Sequence, residues 1–312
     1  MFHICRRAHR EDVRKTMSLW RQDEPLYEAD VWSSLPPLLE DLMERGLVSF
    51  AVVESCPDRK PRLLGGISFV RPEFIAEART GHSTLVNAAM RAALQNQSPF
   101  LSQKEIAIEN ARGELNLMNF FGCFDVVDMA DPELANFYRT SNEGYRFFLF
   151  GHSFRSIWHE IWRPHHVAEL QTQGMRIARQ LPLPGGRIST LMCLTAEDAL
   201  ANPYSRYSGY FFPPKPRFGF SFGEQRLLEN ALLDFSDEDA AEGLNLSDDA
   251  IKKRWRSIYA KVGKSDPNLL AAADSGAAQR RALLRYLRQN LAELRPYHEQ
   301  PERIRKPSGA NR

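Results

Sequence analysis

The chain has 312 residues, 41 Lys and Arg against 39 Asp and Glu, and 43% apolar residues. That length supports two domains with sizeable cores, and the near-balanced charge of +2 excludes a polybasic or polyacidic chain. Four scattered cysteines, Cys5, Cys56, Cys123 and Cys193, show neither a CxxC pair nor metal-ligand spacing, as expected of reduced thiols in a cytoplasmic protein. The opening residues lack an apolar signal-peptide core, and no run of about 18 apolar residues is present, so no membrane partner is expected.

The first two hundred residues read as a mixed α and β domain. HICRRA is a strand, followed by a helix from about Glu11 to Trp20 and another from Leu38 to Arg45. VSFAVVES and LLGGISFV alternate as strands, with PDRKPR between them as the turn of a hairpin. A helix over Leu85 to Leu94 follows, then the strand LNLMNFFG. Pro132 to Glu169 is read as largely helical and rich in aromatics, and RISTLMCLT as a late strand. Within the aromatic stretch, GHSFRSIWHEIWRPHH holds His152, His159, His165 and His166. His152 and His159 would share one helical face, but the spacing is not HExxH and Pro164 interrupts it. These are therefore read as ordinary histidines, with no metal and no catalytic residue assigned. The aromatic cluster of Phe147, Phe148, Phe150, Trp158 and Trp162 is read as core, and as the place to look for a small-molecule effector.

Strand, helix, helix, hairpin, helix resembles the opening of the GNAT acyltransferase fold over residues 1–150. The resemblance implies a loop of type [QR]xxGx[GA] whose amides hold the pyrophosphate of acetyl-CoA. After ISFV the chain reads RPEFIAEART, with Arg71 but no glycine at the needed spacing, and with Pro72 and Glu73 in its place. The expectation is a degenerate GNAT-like domain that senses or scaffolds, with no cofactor and no enzyme activity. The alternatives are a GNAT-type N-acyltransferase with an accessory helical domain, and a protein-interaction module that does not bind DNA.

Residues 201–219, ANPYSRYSGYFFPPKPRFG, contain four Pro and two Gly and read as an extended linker whose aromatics, from Tyr204 to Phe218, pack on one domain or the other. From 220 to 264 the apolar residues fall at helical spacing in three runs. Leu227, Leu228, Ala231 and Leu232 make the first, Ala240, Ala241 and Leu244 the second, and Ile251, Trp255, Ile258, Tyr259 and Val262 the third. Asn245 suits a left-handed turn and Ser247 a helix N-cap, so the last two runs read as helix, tight turn, helix. AAEGLNLS and AIKKRWRSIYAKV resemble the DNA-binding domain of the LuxR family of bacterial transcription regulators. The α+β domain is thus expected to carry an all-α helix-turn-helix domain. With Ile251, Trp255 and Ile258 turned inward, Asp249, Lys253, Arg256 and Ser257 face outward, with Lys252 at their border, as the DNA-contacting set.

The resemblance implies double-stranded DNA as partner. RNA polymerase, a second copy of the chain and the effector complete the expected partners. Charge is uneven here. Phe218 to Lys264 carries seven basic and nine acidic residues, whereas Ser265 to Arg312 carries nine basic and five acidic. Residues 265–295 include the amphipathic segment RRALLRYLRQNLAEL, and 296–312 read as a disordered tail.

Overall fold

The computed structural model describes residues 2–20, 27–124, 132–202, 207–271 and 275–298. Strand β1 (Phe2–Arg7) is followed by α1 (Arg10–Trp20) and α2 (Ala29–Glu44), then by the hairpin β2 (Ser49–Cys56) and β3 (Lys60–Val70). This is the expected opening order. Helix α2 is longer than the expected 38–45 and runs through Pro36 and Pro37. Each proline removes an intrahelical bond, but Val31, Leu35, Leu39 and Leu42 are all fully buried along one stripe. That burial outweighs the local propensity.

Three helices then intervene before the next strand: α3 (Pro72–Thr80), α4 (Leu85–Leu94) and α5 (Gln103–Arg112). Next come β4 (Leu115–Phe124), α6 (Pro132–Leu149), β5 (Phe154–Ile161), α7 (Pro164–Thr172), β6 (Arg176–Leu183), β7 (Arg187–Thr195) and α8 (Ala196–Ala201). The reading of Pro132 to Glu169 as largely helical is corrected here. FRSIWHEI is a strand, with Ile157 and Ile161 on one face and Trp158 and Glu160 on the other. His152 and His159 therefore do not share a helical face. A run apolar on both faces carries no clear period, because it is buried on both sides of a sheet.

The seven strands form one mixed sheet in the order β1-β2-β3-β4-β5-β7-β6. Every neighbouring pair is antiparallel except β4 and β5, which are parallel. One face packs Val52, Leu64, Met118, Trp158 and Leu191 against the helices that include α2 and α4. The other packs Leu117, Ile157, Met192 and Leu194 against Ile106 of α5, Leu149 of α6 and Leu170 of α7. A mixed sheet with helices on both faces is the result.

The C-terminal region is all-helical: α9 (Phe222–Leu232), α10 (Asp237–Leu244), α11 (Asp248–Ser265), α12 (Pro267–Ala271) and α13 (Gly276–Gln289). Ser221, Ser236 and Ser247 cap the first three helices, each accepting from a backbone amide three residues on. Asn245 lies in the left-handed region, φ 51° and ψ 55°, and turns α10 into α11. Leu227, Ile251, Trp255, Ile258, Leu283 and Leu287 share one core. Trp255 is buried there, its indole under the guanidinium of Arg280 at 4.4 Å. The leucine face of the 280–294 segment thus packs on its own chain.

Aromatics of the 201–219 stretch are packed. Tyr207, Tyr210 and Phe211 enter the sheet-side core and Phe218 enters the helical core, while 203–206 lie outside the described residues. Aromatic burial on both sides overrides the flexibility that four prolines and two glycines suggest. The chain also returns to the sheet domain at its end. Asn110 of α5 donates to Pro296 O, and His298 N donates to Ala107 O. The remainder of the expected tail, 299–312, lies outside the described residues.

A buried charge cluster joins the two parts. Glu229 of α9 accepts from Arg7 of β1 at 2.8 Å and from Arg295 at 2.8 Å, and Arg226 lies 3.8 Å away. Arg295 is 2% exposed, and it also donates to Phe150 O at 2.8 Å and to Phe147 O. Burial alone would raise the Glu229 carboxyl, but Arg7, Arg295 and Arg226 outweigh it and hold the group at about 2. Replacing Glu229 by Ala leaves buried guanidiniums without a counter-charge. We expect a loss of about 3–5 kcal/mol in unfolding free energy, read by urea denaturation. Unchanged stability would show that this carboxylate does not fasten the helices to the sheet.

Candidate active site

The parallel pair sets the position of the site. β4 and β5 are in register from Leu115 opposite Phe154 to Asn119 opposite His159. Beyond that point β4 continues to Phe124 on β3 alone, while β5 continues to Ile161 on β7. Among the described residues, the backbone of 120–124 has no partner on its β5 side. Amides and carbonyls inside a sheet that lack a strand partner are ready to bond a ligand.

A cavity of about 600 Å³ opens at this divergence. Its floor is the sheet face bearing Cys5, Ala51, Val53, Leu63, Gly65 and Ile67, and its roof is α6 through Tyr138, Ser141, Tyr145 and Phe148. The β5 end is polar, with Asn119, His159, Arg163, His166 and Glu169. Tyr145 donates its hydroxyl to Asn119 Oδ1 at 2.9 Å. Strand alternation explains the selection: Asn119, His159 and Ile161 point to the α6 face, whereas Glu160 points away. Glu160 there accepts from Ser189 Oγ at 2.7 Å, from Arg179 at 3.1 Å and from the amide of Leu85.

Three titratable groups of the cavity, His159, His166 and Tyr138, are held in uncharged forms. Loss of hydration, then the charge of His166, lowers the His159 imidazole to about 4. Loss of hydration, then His165 and Arg163, also lowers His166. Burial, with the carboxylate of Glu169, raises the Tyr138 phenol. Neutral imidazoles can accept a proton at pH 7 and a protonated phenol can donate one. Among the described residues no cluster of His, Cys, Asp and Glu could hold a metal ion.

The expected DNA-contacting residues lie elsewhere, on α11 of the helical region. Lys252, Lys253 and Arg256 are exposed. Asp249 is almost fully exposed and lies 3.8 Å from Lys252. Ser257 sits at the edge of that face and donates to Glu224 Oε1 at 2.6 Å, so its hydroxyl is engaged within the unit. None of these residues lines the cavity. The residues that do line it, His159, Asn119, Tyr145 and Tyr138, were not expected as a group. They come from two strands and a helix separated by up to forty positions of sequence, and no local period brings them together.

Residues after ISFV form α3, an insertion between β3 and β4, where Arg71 pairs with Glu105 of α5 at 2.8 Å. The connection that follows the parallel strand is 125–131, which lies outside the described residues. Arg71, Pro72 and Glu73 do not line the cavity.

No family model matches this chain, and neither does any curated protein. Among solved structures, it is similar to mutant forms of the spermidine/spermine N-acetyltransferase SpeG from Vibrio cholerae, at 10% identity over 64% of this chain and 98% of that one, with a TM-score of 0.37. It is similar to FeeM, an N-acyl amino acid synthase from uncultured soil microbes, at 10% identity over 62% and 89%, TM-score 0.37. NAA60 of Arabidopsis thaliana, in complex with acetyl-CoA, matches at 9% identity over 62% and 99%, TM-score 0.37. The expectation that this chain is not an enzyme is corrected by these matches, which are to acyltransferases.

The histidines give a pH prediction. His159 is depressed from its ordinary 6.5 to about 4, and His152, buried beside Arg295, is also held well below 6.5. Both are neutral in the folded state, so their contribution to stability is complete above pH 6.5 and is lost as pH falls toward 4. Unfolding free energy should fall across that window, and the His159 ring resonances should titrate near 4. Titration of His159 near 6.5 would show that its ring is hydrated.

Proposed function

We propose that the N-terminal domain is an N-acyltransferase. It moves an acyl group from a thioester carrier to an amine at the β4–β5 opening. The observation that carries this reading is the unpaired β4 edge, which faces a 600 Å³ cavity holding neutral histidines and a protonated tyrosine. Coenzyme A is the carrier that the fold resemblance implies. Its amide-bearing arm fits an edge of free backbone groups. The thioester carbonyl would lie near Asn119 and His159. The amine nitrogen attacks that carbon, the new C–N bond forms, and the C–S bond breaks. His159 takes the proton from the attacking nitrogen, and His166 stands beside it. The Tyr138 phenol gives its proton to the departing sulfur. Asn119 and Tyr145 fix each other by their hydrogen bond and shape the same wall.

The test is release of free thiol from acyl-coenzyme A in the presence of a panel of amines, followed with a thiol reagent. General-base catalysis contributes about 10²–10⁴-fold, so His159→Ala should lower kcat by that factor while leaving the fold intact. An unchanged rate would remove His159 from the mechanism. No thiol release with any amine, together with no binding of the thioester, would overturn the reading.

A second reading concerns the helical region, and one specific observation favours it. The left-handed Asn245 and the Ser247 cap present α11 with Lys252, Lys253 and Arg256 exposed along one side. Under this reading the region is a helix-turn-helix unit that binds double-stranded DNA in the major groove. Lys252→Ala and Arg256→Ala should each weaken DNA binding and reduce the log–log salt slope by about one. Retention of parental affinity and slope by both variants would discard it.

A further inference from the structure

We infer that the cavity is built for an acyl chain of about a dozen carbons rather than for acetyl. This rests on the acyltransferase reading and deepens it. Volume is the first observation. An apolar cavity of about 150 Å³ is enough to hold benzene, whereas this one is about 600 Å³.

The shape of the floor gives the direction. Arg7, Ala51, Gly65 and Gly122 stand opposite one another across four adjacent strands, β1, β2, β3 and β4. Ala51 and Gly65 both line the cavity. A row with so little side chain leaves a trough across the sheet beneath α6, and Val53, Leu63, Ile67 and Phe148 give it apolar walls. It starts at the β4–β5 divergence, where the thioester carbonyl would lie.

The trough ends at Arg7 on β1. The Arg7 guanidinium is engaged by Ser49 at 3.0 Å and Glu229 at 2.8 Å, and it lies 5.0 Å over the Phe148 ring. Helix α6 closes down on β1 next to it, at Gly144, where an added Cβ would collide with the sulfur of Cys5. The open length is thus set by three strand spacings, about 14 Å in all. An extended chain advances about 3.3–3.6 Å per three bonds, so the trough takes roughly twelve. Between its two polar ends the trough is walled by Ala51, Val53, Leu63 and Ile67, which suits a methylene chain.

The experiment is calorimetric titration of the full-length protein with coenzyme A and its acetyl, butanoyl, octanoyl, dodecanoyl and tetradecanoyl thioesters. Each buried methylene should improve affinity by roughly three- to fourfold at first, with a maximum near twelve carbons. Ala51→Phe, which puts a ring into the trough, should move the optimum to shorter chains. Affinity independent of chain length, or greatest for acetyl, would overturn this inference and leave the acyltransferase reading in place. Failure of every thioester to bind would overturn both. The chain-length series on the unaltered protein decides the matter even if the variant does not fold.

Discussion

A parallel pair inside an otherwise antiparallel sheet has to be joined by a crossover, and here that crossover contains α6. The same helix both connects β4 to β5 and roofs the space where they part. Parallel strands in a twisted sheet diverge when one changes partner, and β4 stays with β3 while β5 stays with β7. The cavity is the consequence of that divergence. Its contents follow from strand alternation, which aims Asn119 and His159 inward and Glu160 toward α4.

The helical region bears on this arrangement through charge. Arg7 reaches from the cavity wall to Glu229, and Arg295 ties the same carboxylate to carbonyls in and just after the last turn of α6. A carboxylate among guanidiniums in a dry place is stable only with its partners present. The end of α6, β1 and α9 are therefore held as one block. This gives the C-terminal helices a structural role in shaping the cavity, whatever else their exposed face binds. It also explains why the segment 201–219, with four prolines, is packed at both ends rather than extended: the two parts it joins are in contact.

Electrostatics inside the cavity run toward neutrality. His159 and His166 lose the hydration that would support a charge, and Tyr138 is kept protonated by burial and Glu169. Buried charged groups are paired in the cluster around Glu229, in the Glu160 network behind the sheet, and in the Arg6–Asp12–Glu54 network of β1, α1 and β2. Neutral imidazoles beside an apolar floor suit a hydrophobic chain and a reacting centre that exchanges protons without bulk water.

The sequence by itself determined the elements whose pattern is local. The hairpin of VSFAVVES and LLGGISFV, the helix at Leu85, the strand RISTLMCLT and the capped helices around Asn245 each carry their period and their turn chemistry within about fifteen residues. Burial of Trp255 followed from the same helical spacing. What only the tertiary structure decided is long-range. FRSIWHEI is buried on both faces, so its strand character carries no alternating polarity, and it was read as helix. Helices α3, α4 and α5 lie between β3 and β4, so the strand that pairs in parallel with β5 begins some forty-five residues after ISFV. The juxtaposition of Asn119, Tyr145 and His159, and of Arg7, Glu229 and Arg295, depends on which strands pair and on where the chain end returns. No local pattern encodes those contacts, because each is made between segments whose own periodicity is satisfied without it.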